Sequence, residues 1–336
     1  MKRIKLPLAR NVEVEFADRD AAIRQLEEFA EKGTRFPIVV YGPEGCGKTA
    51  LLRQAFELLK GQGFSVIYVS PLEKGEERLT ASEDIRGLVK EALREASRLI
   101  GGPLAAVLTE AAITIVTRAL AKGKKKVALL ADDVFQAIGT DKAEQLVKTL
   151  LNIIEYPPHR YDKIVVIAAS SEGVTRERVG RHRWAELRAM WNMPREGLRQ
   201  LYEQLPGHKP PFDEVWKWTG GNPWALALLY EEEWDAEKAA KKLAVERRLT
   251  ALIRSLNDAE REALKKALED PDAVLKGKIE KALIELNLIA EVWNREEWLW
   301  IDQPPPERDP ELGIGRHYAW QTPLHREAVR IALRQK

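Results

Sequence analysis

Gly42-Pro43-Glu44-Gly45-Cys46-Gly47-Lys48-Thr49 has the spacing G-x-x-x-x-G-K-[ST], and its flanks decide the fold. Before it runs Phe36-Pro37-Ile38-Val39-Val40-Tyr41, an apolar stretch of strand type. After it, residues 50–59 carry apolar side chains at helical spacing. Strand, glycine loop and helix form the context in which this spacing cradles phosphates. The glycines let the backbone curl, so that its N–H groups face an anion at the positive end of a helix. Lys48 is expected to reach β- and γ-phosphates, and the Thr49 hydroxyl to ligate Mg²⁺. The expected nucleotide contacts are Gly42, Pro43, Gly45, Cys46, Gly47, Lys48, Thr49 and Ala50. A chance glycine turn would lack both flanks.

A second nucleotide motif lies downstream. Leu129-Leu130-Ala131-Asp132-Asp133 delivers two carboxylates to the end of an apolar run. In open α/β sheets, ligands bind at that edge. Asp132 is expected in the Mg²⁺ shell, and Asp133 is placed to polarise an attacking water. Aspartate is one methylene shorter than glutamate, so slow hydrolysis is expected. The bland reading is a strand-end turn. Ser170 and Ser171 end the next apolar run, where a hydroxyl would reach the γ-phosphate or the water; serine is also common in plain turns. Arg176, Arg178, Arg181, His182 and Arg183 follow as a basic cluster. Arg176 is the candidate for stabilising transferring phosphoryl charge, and a solvated or anion-binding surface is the alternative.

The 336 residues suffice for two or three domains. Fifty-four basic and 52 acidic residues leave a net charge of +2, so any nucleic-acid surface must be a local patch. Charged residues make up 32% of the chain, and Cys (1) and Met (3) are scarce. That balance leans toward a thermophile. One cysteine excludes an internal disulfide framework and points to a reducing, cytoplasmic setting. Cys46 itself reads as a small loop filler. The basic start Met1-Lys2-Arg3 lacks the apolar core of a secretory signal. The most apolar stretch, Pro103 to Leu120, carries Glu110, Arg118 and three threonines. It reads as too polar and short to span a bilayer and better as a buried helix.

Strand patterns at 64–70, 127–131, 163–169 and 184–190 alternate with helical ones, which makes an α/β core over residues 1–195. Residues 11–16 alternate as a short strand, and Asp18 is expected to cap a helix running to about Lys32. Residues 81–121 read as two helices broken at Gly101-Gly102-Pro103. Lys122-Gly123-Lys124-Lys125-Lys126 reads as a basic surface turn. Patterns over 196–248 are helical only. Region 249–336 holds helices at 251–268 and 276–287, then a hairpin of strands 288–293 and 298–302, which suggests a winged helix. Most of the ten tryptophans read as anchors of the small C-terminal cores, with one or two exposed at a partner site.

Thr219-Gly220-Gly221-Asn222-Pro223-Trp224 is a glycine turn opening an apolar helix, with Pro223 in the first turn. Taken with Gly42–Thr49, Asp132-Asp133, Ser170-Ser171 and Phe16-Ala17-Asp18-Arg19-Asp20, it resembles the archaeal ATPase family of the STAND class of AAA+-like phosphate-loop NTPases. The resemblance implies an AAA+-like parallel-sheet core, a helical lid and a C-terminal winged helix. It also implies ATP and ADP as ligands, Mg²⁺ as cofactor, and Pro223 as an adenine contact from the lid. Two departures stand out: Gly220-Gly221-Asn222 holds no arginine where many lids of this class carry one, and Glu44 puts an acid inside the phosphate loop. The expected activity is ATP hydrolysis driving a conformational switch. The alternative is a DNA-acting motor or loader with the winged helix on the duplex. The candidate recognition helix mixes Lys276, Lys278 and Lys281 with Glu280 and Glu285, so DNA, a protein or the lid itself all stay open as its partner. A nucleotide-dependent oligomer is compatible with this reading, and no membrane partner is expected.

Overall fold

The computed structural model describes residues 2–100, 103–139, 142–170, 179–273, 277–292 and 294–334. Two compact units emerge. The first comprises Met1–Ile4, Asp20–Tyr41 and Lys48–Ala189; the second comprises Lys5–Arg19, Gly42–Gly47 and Met190–Lys336. The chain therefore passes from the second unit to the first between Gly47 and Lys48, inside the glycine loop.

Strands β1 (Lys5–Ala9) and β2 (Val12–Glu15) form an antiparallel hairpin of the second unit. β2 alternates buried and exposed residues as the sequence pattern requires. Its partner β1 carries no such alternation, and the sequence reading did not find it. The first unit is an α/β structure. Its strands are β3 (Ile38–Tyr41), β4 (Ser65–Val69), β5 (Leu79–Ala81), β6 (Lys126–Asp132), β7 (Lys163–Ser170) and β8 (Glu186–Met190). Within this unit they lie in the order β8-β3-β7-β6-β4-β5, all parallel except the edge strand β5. β3 and β4 are buried along their whole length, as expected of parallel strands covered on both faces.

β5 ends at Ala81, the first residue of the stretch expected to hold two helices, and the sequence reading did not find this strand. Those helices begin later, at Leu88–Ile100 and Leu104–Ala121. By length and composition the second of these could cross a membrane, against the sequence expectation. Its buried residues, among them Leu108, Ile115 and Val116, pack instead into the core shared with β4 and β6.

The second unit has its own core, built from the helices Arg195–Gln204, Phe212–Thr219, Pro223–Glu231, Ala236–Glu246 and Pro323–Arg334. Trp320 is among its largest fully buried side chains, and its indole donates to the Ala267 carbonyl at 3.0 Å. Trp298 is 64% exposed. The C-terminal pairing differs from expectation. β9 (Ile289–Glu291) pairs antiparallel with β11 (Tyr318–Trp320), and not with β10 (Trp300–Ile301). Two charged side chains supply the reason. The Arg295 guanidinium donates to the carbonyls of Pro305, Pro306, Gly315 and Arg316. The Asp272 carboxylate accepts the backbone N–H groups of Arg316, His317 and Tyr318. Together they fold the long excursion after β10 back and deliver residues 318–320 to β9. Sequence spacing carries no signal for this, because each interaction joins one side chain to distant backbone.

Candidate nucleotide site

In the first unit, sheet register brings the expected groups to one edge. Tyr41, the last residue of β3, lies opposite Ser170 at the end of β7. Asp132, the last residue of β6, lies opposite Ala169. Ser170 is fully buried and Asp132 is 1% exposed. Lys48 and Thr49 open the helix Lys48–Gly61 that follows β3, and Lys48 is 7% exposed.

Asp132 is the electrostatic centre of this edge. Its Oδ2 accepts the Tyr68 hydroxyl at 3.0 Å. Burial pushes its pKa up, while hydrogen bonds from Thr49 and Tyr68 and the charge of Lys48 pull the other way. Its Oδ1 is buried without a hydrogen-bond partner. A buried carboxylate oxygen left open beside a threonine hydroxyl and a lysine fits a hard cation that takes oxygen ligands. Among the described residues no three His, Cys, Asp or Glu side chains converge on a metal position. Mg²⁺ held here would take its remaining ligands from phosphate oxygens and water.

Asp133 is half-exposed and adopts a left-handed conformation, φ 49°, at the start of the helix Val134–Ile138. Its N–H donates to the Ala169 carbonyl at 3.1 Å. The two adjacent acids thus differ in setting, one buried and one half-exposed. Ser171, Arg176 and Arg178 lie outside the described residues. Tyr68 and Arg53 were not foreseen. Arg53 pairs with Glu73 at 2.8 Å, and its guanidinium lies 6.0 Å from the centre of the Tyr68 ring. An apolar strand with a tyrosine in it reads as core, so nothing in the sequence distinguishes Tyr68.

The first six loop residues belong to the second unit, where the Gly221-Asn222-Pro223 motif holds them. The Asn222 amide donates to the Glu44 carbonyl at 2.9 Å and to Asn192 Oδ1 at 2.8 Å. Its Oδ1 accepts the Ala225 N–H at 3.1 Å, capping the helix that Pro223 opens. The Trp224 N–H donates to the Gly45 carbonyl at 3.3 Å. Gly45 has φ +73°, and a Cβ there would lie 2.2 Å from the Trp224 Cβ. The loop glycine therefore serves close packing as well as its own turn.

Glu44 is accounted for in the same way. Its carboxylate pairs with Arg247 and accepts from the Asn287 amide at 3.3 Å. Its N–H donates to Gln321 Oε1 at 3.0 Å. The acid inside the loop is thus neutralised from residues far along the chain. Cys46 is fully buried with its Sγ 3.6 Å from the Met190 carbonyl, in keeping with a filler. Its own carbonyl accepts Arg19 Nη2 at 2.7 Å.

A parallel sheet, a glycine loop running into a helix, and a buried aspartate on a neighbouring edge define a phosphate-loop nucleoside triphosphatase. Residues 16–229 match the model of an ATPase domain predominantly from Archaea, and the chain belongs to that family. No curated protein matches the sequence. Among solved structures, the chain is similar to the Walker-type ATPase PABY2304 of Pyrococcus abyssi, with 16% identity, 93% of this chain and 95% of that one covered, and a TM-score of 0.48. It is also similar to the ORC2 protein of Aeropyrum pernix, with 13% identity, 93% and 94% covered, and a TM-score of 0.40. DnaA from Aquifex aeolicus shares 17% identity over 79% of this chain and 75% of that one, with a TM-score of 0.37. These are distant likenesses, and nothing about function rests on them.

Proposed function

We propose that this ATPase is a nucleotide-controlled conformational switch. The observation that carries the reading is the grip of Asn222 and Trp224 on the Glu44 and Gly45 carbonyls. Residues 42–47 are held by the second unit, while Lys48 and Thr49 belong to the first. Phosphates drawn to Lys48 and Thr49 pull on a loop whose preceding residues are fastened elsewhere. Gain or loss of a γ-phosphate then acts along the backbone on residues 42–47 and, through their hydrogen bonds and ion pair, on Asn222, Trp224, Arg247 and Gln321.

In this reading residues 196–248 act as a lid and residues 249–336 as a winged helix that carries the output. Lys48 binds the β- and γ-phosphates, and Thr49 and Asp132 hold Mg²⁺. The cation neutralises charge on the phosphate oxygens when bound. Asp133, the half-exposed acid, orients and polarises the attacking water. Ser170 hydrogen-bonds the γ-phosphate or that water, and Pro223 contacts adenine. The role of Arg176 has no geometric support, since it lies outside the described residues.

A DNA motor driven through the C-terminal region is less well supported. The helix Lys278–Glu285 exposes Lys278, Lys281 and Glu285, and Lys281 lies 3.8 Å from Glu285. Such a face is nearly neutral, which does not suit a phosphate backbone.

A ligand shifts an equilibrium only through differential affinity for its states. Solution scattering and tryptophan fluorescence are therefore expected to differ between an ATP analogue with Mg²⁺ and ADP. Superimposable scattering curves and spectra at saturating nucleotide would remove the switch and leave a plain ATPase.

A further inference from the structure

The N-terminal ends of the same parallel strands carry a second feature, which the nucleotide chemistry does not use. Register places Lys126 of β6 directly beside Lys163 of β7. Both the Asp162 and Lys163 N–H groups donate to the Lys125 carbonyl, at 2.8 and 3.1 Å. On the other side of β7 the Thr34 N–H donates to the Ile164 carbonyl at 2.8 Å, which brings Arg35 to the same rim. Arg35 and Lys163 share the wall of an open cavity of about 640 Å³ with Phe29, Phe36 and Tyr161. Like charges on adjacent strands repel and are destabilising. A row of them calls for compensation.

The neighbouring carboxylates do not supply it. Glu28 pairs with Lys32, Glu186 with Arg188 and Asp84 with Lys124. Among the described residues Lys125 and Lys126 meet no carboxylate: they donate to carbonyls, Arg160 O at 3.2 Å and Gln62 O at 3.4 Å, and Lys126 also lies 5.8 Å from the centre of the Phe64 ring. Arg35, Lys122, Arg160 and Lys163 have no acidic partner among the described residues. Of the acids in the cavity wall, Asp162 alone is without a cation partner there. The rim is therefore a local cationic patch on a chain whose net charge is only +2.

The patch is interleaved with aromatic rings. The loop from Tyr156 to Asp162, which leads into β7, carries Tyr156, His159 and Tyr161 beside Arg160. Tyr156 is 76% exposed, far more than an apolar ring gains by packing. The Tyr161 hydroxyl is pinned to the Ile154 carbonyl at 3.0 Å, which fixes that ring against the cavity. Cations that track a backbone, together with exposed rings on which bases stack, are what a sequence-tolerant single-strand surface requires.

We infer that this rim binds single-stranded nucleic acid. β6 runs seven residues from Lys126 to Asp132, a span of roughly 20 Å at the usual strand rise. Both ends of the sheet can therefore be occupied at once.

The test is fluorescence anisotropy of a fluorescein-labelled oligothymidylate with the full-length protein across a salt series. Saturable binding that weakens steeply with salt is expected. Lys122→Glu with Lys125→Glu, on the exposed turn, should weaken it at least tenfold and flatten the salt slope. Tyr156→Ala should weaken it about tenfold with the slope unchanged, because it removes stacking and no charge. Nucleotide binding by each variant reports that its fold is intact. No saturable binding by the parent overturns the inference. So does parent-like binding by the Lys122/Lys125 variant, or a loss that appears instead in a Lys278→Glu, Lys281→Glu variant. Equal competition by polyglutamate would assign the rim to an acidic protein and overturn it as well.

Discussion

Arg19 and Asp302 stand 283 positions apart and form an ion pair at 2.7 Å, with side chains only 3% and 2% exposed. The same guanidinium donates to the Cys46 carbonyl at 2.7 Å and the Trp191 carbonyl at 2.9 Å. One buried cation thus ties the phosphate loop to β10 and to the chain entering the helical region, all within the second unit. Arg19 itself sits at φ 59° and Asp302 at φ 71°, left-handed conformations for both.

Breaking a buried pair strands the remaining charge. Asp302→Ala is expected to destabilise the protein by about 3–5 kcal/mol in urea unfolding, because Arg19 would keep its burial and lose its counterion. Arg19→Met combined with Asp302→Leu should recover much of that loss, since apolar groups of similar size replace both charges. A double variant as unstable as the single one would mean that the carbonyl contacts of Arg19, and not the pair, carry the stability.

The nucleotide site should fail in separable ways. Lys48→Ala removes the charge at the loop and should abolish tight ATP binding. Asp133→Ala should bind ATP like the parent and hydrolyse it at least tenfold more slowly, since it removes the group proposed to activate water and leaves the phosphate contacts. Equilibrium binding and single-turnover kinetics distinguish the two, and normal turnover by Asp133→Ala would end its assignment as the activating group.

Pro223→Gly tests the proposed contact of residue 223 with adenine. The variant keeps Asn222 as cap but loosens the first helical turn. ATP and ADP should both bind several-fold more weakly in a protein with parent-like circular dichroism. Affinities for both nucleotides unchanged from the parent would show that adenine is held elsewhere.

Tyr68→Phe tests the electrostatics around Asp132. The hydroxyl lowers the Asp132 pKa against the upward push of burial, so its removal lets that pKa rise further. A carboxylate that protonates at higher pH loses Mg²⁺ sooner as the solution is acidified. Mg²⁺-dependent nucleotide binding by the variant should therefore match the parent near pH 8 and fall below it in mildly acid solution. A constant ratio between the two proteins across pH would rule out this coupling.

His325 predicts the acid limb of stability. It is 1% exposed, and its Nδ1 lies 2.8 Å from the Thr322 hydroxyl. Burial, and secondarily the charge of Arg247, push its pKa down to about 3. An unfolded histidine titrates near 6.5. Between those values the unfolded chain binds the extra proton, so this group's contribution is full above about pH 6.5 and is lost toward pH 3. Thermal melts should show His325→Phe less stable than the parent at pH 8, where the Thr322 contact is missing. The gap should narrow or invert at pH 5. Parallel pH curves for the two proteins would remove His325 as a source of acid sensitivity.

By itself the sequence determined the parallel-sheet core, the glycine loop and the acids at its edge. Those signals are local: an apolar strand, a fixed spacing of glycines and a carboxylate at a strand end each follow from a few consecutive residues. The glycine turn and the Pro223 helix start were legible for the same reason, whereas the capping role of Asn222 came from the structure. Only the tertiary structure decided that Glu44 is neutralised by Arg247, that Arg19 clamps the Cys46 carbonyl, that Tyr68 supports Asp132 and that β9 pairs with β11. Each of these joins groups distant along the chain, through single side chains or through a strand ladder that such side chains hold in place. A pairing of that kind leaves no periodicity or spacing in sequence, because it depends on where packing brings the two groups, and folding of the whole unit fixes that.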